Sequence, residues 1–221
     1  MNSLDIDAVI FDMDGTLVQT ESIHHRAWEP EILATGREIT SDDYLRWFTG
    51  VTNRDICSGL LGLSGDEIEA TIAAVDRRFW EIAGKGISPL AGVHDLLHSL
   101  QDVPHAIATN AEREPAMRTL ALSGLITHFE VIVTLTDVAN GKPAPDVYLE
   151  AAARLNVAPG RCLVFEDSRP GVAAALAAGM HCIAITPIHV GYDGAHLIVG
   201  GLDDPRIGPL LPRGANLRTR A

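Results

Sequence analysis

Cysteine is scarce in this chain, and its three copies stand far apart. Cys57, Cys162 and Cys182 form an odd set without metal-binding spacing, which argues against a disulfide framework or a structural zinc site. Cys162 and Cys182 sit inside apolar runs and read as small buried residues of a protein kept reduced. Long apolar runs are missing as well: no stretch of about 18 uncharged apolar residues occurs, so no transmembrane helix is expected. Met1 to Asp7 carry two acids and no base, the wrong charge pattern for a secretory leader; we expect a cytoplasmic protein. Positive charge is short too. A net charge of -12 speaks against nucleic acid or an anionic membrane as partner. No internal repeat or low-complexity tract interrupts the 221 residues, a length that fits one domain with a large insertion or two unequal domains.

Short apolar runs alternate with helical patterns. The runs are Ile6 to Phe11, Pro104 to Ala108, Phe129 to Val133, Cys162 to Phe165, His181 to Ile185 and His196 to Val199. They are continuous rather than alternating, as in strands buried on both faces. Between them the pattern predicts helices over Val93 to Leu100, Glu114 to Leu122, Pro145 to Leu155 and Gly171 to Ala178, with Gly and Ser at the stops and Pro at a start. This alternation predicts an α/β fold with a doubly wound parallel sheet and right-handed crossovers.

One segment breaks the rhythm. From about Ser22 to Ser88 no buried-strand run occurs, and helical patterns cover His25 to Leu33, Ser41 to Phe48, Arg54 to Leu61 and Asp66 to Ile82. We expect an all-helical insertion over residues 21–88, with the α/β core built from residues 1–20 and 89–221. Gly84, Gly86, Ser88 and Pro89 read as the return hinge. The tail from Pro212 onward has no apolar pattern and is expected to be poorly ordered.

Polar residues that can carry chemistry fall where the predicted strands end. Phe11-Asp12-Met13-Asp14-Gly15-Thr16 follows the first run. Carboxylates at i and i+2 of an extended segment point to one side, where they repel unless a cation or shared proton lies between them. A calcium loop of the EF-hand type is excluded, because its third ligand and terminal Glu are missing. Thr109-Asn110 follows the second run, Lys142 the third, and Glu166-Asp167-Ser168 the fourth. Each has a plain alternative: Thr109 as a cap, Lys142 as a solvated loop lysine, Asp167 or Ser168 as the cap of the next helix. In open parallel sheets, however, ligands bind beyond the carboxyl ends of the strands, and four polar groups converging there point to a binding site.

These residues carry a resemblance to a known family. Asp12-Met13-Asp14-Gly15-Thr16, Thr109-Asn110, Gly141-Lys142-Pro143 and Phe165-Glu166-Asp167-Ser168 resemble, in order and spacing, the motifs of the haloacid dehalogenase superfamily, and within it the β-phosphoglucomutase-like group with a helical cap. The resemblance implies a Rossmann-like core and a Mg²⁺-dependent phosphatase acting on a small phosphorylated molecule. Asp12 would be the nucleophile, forming an aspartyl-phosphate, and Asp14 the general acid and then base. Asp12, Asp14, Glu166 and Asp167 would hold the metal, with Asp14 contributing its backbone carbonyl. Thr109, Asn110 and Lys142 would bind the transferring phosphoryl group. Asp14 separates this chain from true dehalogenases, whose halide leaving group needs no proton.

The resemblance extends into the insertion. His24 falls where the group has a hinge histidine, and Gly50-Val51-Thr52-Asn53-Arg54 is similar to its specificity loop. The mutase places arginine three residues after that glycine. Here Asn53 holds the position and Arg54 comes one step later, so Thr52, Asn53 and Arg54 are candidate substrate contacts. Trp47 and Phe48 are expected to pack the cap interior. The expected function is hydrolysis of a sugar or polyol phosphate by a monomer, with a phosphosugar mutase as the alternative.

Overall fold

The computed structural model describes residues 4–36, 52–186 and 192–215. The expected helix Ser41 to Phe48, including Trp47 and Phe48, and residues Gly50 and Val51 lie outside them, as does the tail beyond 215. Two compact units make up the chain, residues 1–18 with 88–221 and residues 19–87. None of the described helices is long and apolar enough to cross a membrane.

The larger unit is built on six strands: β1 (Ala8–Phe11), β2 (His105–Ala108), β3 (Val131–Val133), β4 (Cys162–Glu166), β5 (His181–Ile185) and β6 (Leu197–Val199). They form one parallel sheet in the order β3-β2-β1-β4-β5-β6. Every residue of β1 and β4 is buried, which is why these runs are apolar without alternation. The two edge strands have three residues each and are shorter than the runs Phe129 to Val133 and His196 to Val199, since an edge strand is held by pairing on one side only.

Alternate residues of the strands face opposite layers. Ala8, Ile10, Ala106, Ala108, Cys162 and Val164 join one core cluster with Val147, Tyr148, Ala151, Val172 and Ala175. The last five come from α6 (Asp146–Leu155) and α7 (Arg169–Ala177). Small Ala and Cys side chains on that face let the two helices lie close. Phe11 stacks on Phe165 with ring centroids 5.2 Å apart and meets Phe129 edge-on at 6.1 Å. Both Phe11 and Phe165 are fully buried, each a stabilisation of about 2–3 kcal/mol by transfer from water.

Helix ends follow the local chemistry. Ser168 caps α7, its hydroxyl accepting from the Gly171 N–H at 3.1 Å. That cap starts the helix at Arg169, two residues before the predicted Gly171. The remaining helices of this unit are α4 (Val93–Ser99) and α5 (Arg113–Leu122).

The regular structure among the smaller unit's described residues is all helical, with α1 (Glu21–Ala34), the single turn α2 (Asn53–Asp55) and α3 (Asp66–Ala83). Arg78 of α3 joins the two longer helices by donating to the Ala27 carbonyl at 2.5 Å and to the Glu31 carboxylate. The predicted helix from Arg54 to Leu61 is instead α2 running into a π-helical turn, Ile56–Leu60. There the Leu61 N–H donates to the Ile56 carbonyl, and the wider turn buries Ile56, Cys57 and Leu60 together.

Candidate active site

The strand order contains a switch point. The chain leaves β1 toward β2 and β3, then returns to place β4 on the other side of β1. Ligands of open α/β sheets bind in the crevice outside the carboxyl ends at such a point. Register brings the acids there together: Phe11 pairs with Phe165, so Asp12 and Glu166 follow side by side. The Asp12 N–H donates to the Phe165 carbonyl at 3.0 Å. The next residues turn sharply, with Gly15 at φ +82° and its N–H donating to the Val18 carbonyl. A side chain at Gly15 would meet an Asp167 oxygen at 2.2 Å, so glycine is needed both for the turn and for the approach of Asp167.

Lys142 reaches into this corner from the loop before α6. Its Nζ lies 2.5 Å from Asp12 Oδ1 and 2.7 Å from Glu166 Oε1, and its side chain is only 4% exposed. Asn110 fixes the loop by a reciprocal pair: its Oδ1 accepts from the Lys142 N–H at 2.8 Å, and its Nδ2 donates to the Lys142 carbonyl at 3.2 Å. A Cβ at Gly141 would lie 2.8 Å from that Oδ1, which explains the glycine before Lys142. Thr109 is buried, and its Oγ1 accepts from the Ala111 N–H at 3.0 Å while keeping its own O–H to donate.

Glu166 is fully buried at the end of β4 and gathers four donors. Lys142 Nζ and the Tyr148 hydroxyl (3.2 Å) share Oε1; the Ser168 N–H (2.6 Å) and Oγ–H (3.0 Å) share Oε2. Thr16 Oγ1 donates to Asp167 Oδ1 at 3.3 Å, and the Tyr192 hydroxyl donates to the Asp167 carbonyl at 2.7 Å. Gly171 sits so close that an added Cβ would fall 1.6 Å from Glu166 Oε1. Helical Gly→Ala changes ordinarily stabilise by about 1 kcal/mol. Here Gly171→Ala is expected to destabilise by roughly 1–3 kcal/mol through overpacking, read as a lower urea midpoint at unchanged slope.

Charge is unbalanced around Lys142. Burial pushes the Asp12 carboxyl up to about 7; Lys142 opposes this, while Glu166 and Asp14 add to it. Burial alone would lower the Lys142 ammonium, but Asp12 and Glu166 outweigh burial and hold it protonated. One ammonium thus faces the carboxylates of Asp12 and Glu166, with Asp167 clustered beside them and the Asp14 charge acting on Asp12. Oxygens of Asp12, Glu166 and Asp167 lie within 4.8 Å of one another, a hard, oxygen-only donor set that suits Mg²⁺.

The structure therefore brings Asp12, Glu166, Asp167, Lys142 and, through its main-chain grip on Lys142, Asn110 into one network, with Asp14 close enough to act on Asp12. Tyr148, Thr16, Ser168 and Tyr192 belong to it and were not singled out as site residues from the sequence. Ser168 carried a hint as a candidate cap; Tyr148 read only as part of an apolar helix face. The insertion candidates lie in the helical unit. There the His24 ring packs on Phe79 at 4.5 Å between centroids. Thr52 caps α2 through the Asp55 N–H at 3.2 Å, and Arg54, beside Asn53, pairs with Glu69.

Comparison with known proteins agrees with this geometry. The family model of the haloacid dehalogenase-like hydrolases matches residues 9–185. A validoxylamine A 7'-phosphate phosphatase of Streptomyces hygroscopicus subsp. limoneus is 35% identical over 81% of this chain and 85% of its own. A phosphorylated carbohydrates phosphatase of Thermotoga maritima is 34% identical over 89% of this chain and 92% of its own. Among solved structures, CbbY from Rhodobacter sphaeroides in complex with phosphate superposes with a TM-score of 0.76 at 27% identity, covering 90% of this chain and 96% of that one. With its four motifs assembled at the switch point of the matching fold, the chain belongs to the haloacid dehalogenase-like hydrolases.

Proposed function

We propose that this protein is a Mg²⁺-dependent phosphomonoester hydrolase acting on a small sugar or polyol phosphate through a phosphoester formed on Asp12. The observation that carries the reading is the buried Lys142 ammonium held between Asp12 and Glu166, beside three carboxylates whose oxygens cluster. A relative named for phosphorylated carbohydrates supports the substrate class. The helical unit, the expected cap, is assigned the choice of substrate.

Asp12 attacks as its carboxylate, the form that burial opposes and Lys142 favours; above about pH 7 that form predominates and no separate base is required. One of its carboxylate oxygens forms a bond to phosphorus as the bond to the alcohol oxygen breaks. Asp14 supplies the proton that the departing alcohol takes. Asp14 then removes a proton from water, whose oxygen attacks phosphorus. The Asp12–phosphorus bond breaks, inorganic phosphate leaves, and the carboxylate is restored. Lys142 and the Thr109 hydroxyl donate to the transferring oxygens, where negative charge gathers. Asp12 and Asp167, with Glu166 beside them, would hold Mg²⁺, which when bound offsets the repulsion between carboxylate and phosphate.

The test is phosphate release from a panel of sugar and polyol monophosphates, with Mg²⁺ and with excess EDTA. Chelation is expected to lower turnover about a hundredfold, the effect of about 3 kcal/mol of transition-state stabilisation. Equal rates in both conditions would end the metal assignment. A phosphosugar mutase would consume substrate without releasing phosphate. Asn53 in place of the mutase arginine, and the engagement of Arg54 with Glu69, favour the hydrolase.

A further inference from the structure

We infer that Tyr148 is a positioning residue of this site: its hydroxyl and its ring together hold the Glu166–Lys142 pair so that one Lys142 N–H is left for the transferring phosphoryl group. The inference rests on the phosphatase reading for its catalytic consequence, but not for its geometry.

Tyr148 stands in the first turn of α6 and is fully buried. For packing alone phenylalanine would serve, and a buried hydroxyl is costly unless it is bonded. Here it donates to Glu166 Oε1 at 3.2 Å, the oxygen that also accepts from Lys142 Nζ. Glu166 Oε2 is held from the other side by the Ser168 N–H and hydroxyl. With donors on both oxygens the carboxylate cannot turn about its own axis without losing bonds. The ring meanwhile lies beneath the ammonium, 4.8 Å from Nζ to the centroid, within cation–π range. An ammonium has three N–H donors. Asp12 and Glu166 take two, and the ring closes off a further direction. The remaining N–H is thereby confined in direction, a pre-set donor of the kind that lowers barriers without reorganisation.

The experiment uses Tyr148→Phe, which keeps the ring and removes one hydrogen bond. In Mg²⁺-saturated protein, kcat is expected to fall about 10- to 150-fold, the range for a lost bond to a charged group, with KM within about twofold because ground-state binding is retained. The second readout is independent of activity. The chain has only two lysines, Lys85 and Lys142, and Lys85 is exposed. In ¹⁵N-lysine-labelled protein a protected Nζ ammonium resonance therefore reports Lys142, and it is expected to broaden or vanish in the variant. A protected resonance that Tyr148→Phe abolishes, in a wild-type protein that releases no phosphate, would sustain the positioning and sink the phosphatase reading. An unchanged resonance overturns the inference, whether kcat is unchanged or falls together with the unfolding temperature.

Discussion

Asp12→Asn is expected to lower phosphate release by at least about 10⁴-fold, the scale on which removal of a nucleophile acts in enzymes whose groups work as a unit. The amide has no ionised oxygen to attack phosphorus, and its shape allows the strand, the turn at Gly15 and the Lys142–Glu166 pair to persist. The fold should therefore remain and the chemistry stop. Stability is expected to move the other way without metal. Burial pushes the Asp12 carboxyl up to about 7, above its unfolded value near 4. Between those values the folded protein binds more protons than the unfolded chain, so this carboxylate makes stability fall as pH rises. Asn removes that penalty. Metal-free Asp12→Asn protein should unfold at a higher temperature than metal-free wild type at pH 8, and the two should converge near pH 4. If the carboxylate cluster holds Mg²⁺ as proposed, the added ion should raise the wild type more than the variant, whose site has lost one charged ligand. Residual turnover within tenfold of wild type would remove Asp12 from the mechanism. Equal unfolding temperatures at pH 8 would show that Lys142 already neutralises it.

How far this site could be read beforehand depended on the kind of contact. Buried parallel strands declare themselves as unbroken apolar runs, and Cys162–Glu166 and His181–Ile185 lie within one residue of prediction. The acids, Thr109 and Lys142 were legible because polar residues ending apolar runs are chemically out of place there. Strand order was not legible, since any of the runs could neighbour any other until the register of Phe11 on Phe165 is seen. Nor was the work of the Asn110 side chain, which spans 32 positions to hold the Lys142 backbone. Tyr148 was hidden for a different reason. On a helix face lined with Val147, Ala151 and Ala152, an aromatic residue matches ordinary core packing, and only the three-dimensional meeting with Glu166 and Lys142 makes its hydroxyl matter. The α-to-π change after Asp55 was missed because hydrophobic spacing in so short a segment does not distinguish the two turns.

Lys142→Met tests whether one ammonium organises the whole network. Methionine keeps most of the length and volume but leaves Asp12 and Glu166 facing each other without their shared partner. Breaking a buried pair by removing one member destabilises by roughly 3–5 kcal/mol, because the orphaned charge stays buried; with two acids left, the upper end is expected at pH 8. The sign with pH follows from both partners. In the wild type the ammonium is held protonated by the two carboxylates, so its contribution is complete below its unfolded value near 10 and is lost only as pH rises through the higher folded value. In the variant Asp12 loses the lysine that opposes its upward shift and favours its protonated form more strongly, so the deficit against wild type should shrink as pH falls toward 4. Turnover should drop about 10²- to 10³-fold, the cost of losing one donor aimed at developing charge, and saturating Mg²⁺ should restore much of the stability but little of the rate. Asn110→Ala, which frees the Lys142 main chain but leaves the ammonium, should fall between the two proteins in rate. A Lys142→Met protein as stable as wild type at pH 8, and within threefold in kcat, would mean that the carboxylates are balanced without it and that the cluster at the β1–β4 switch point needs another explanation.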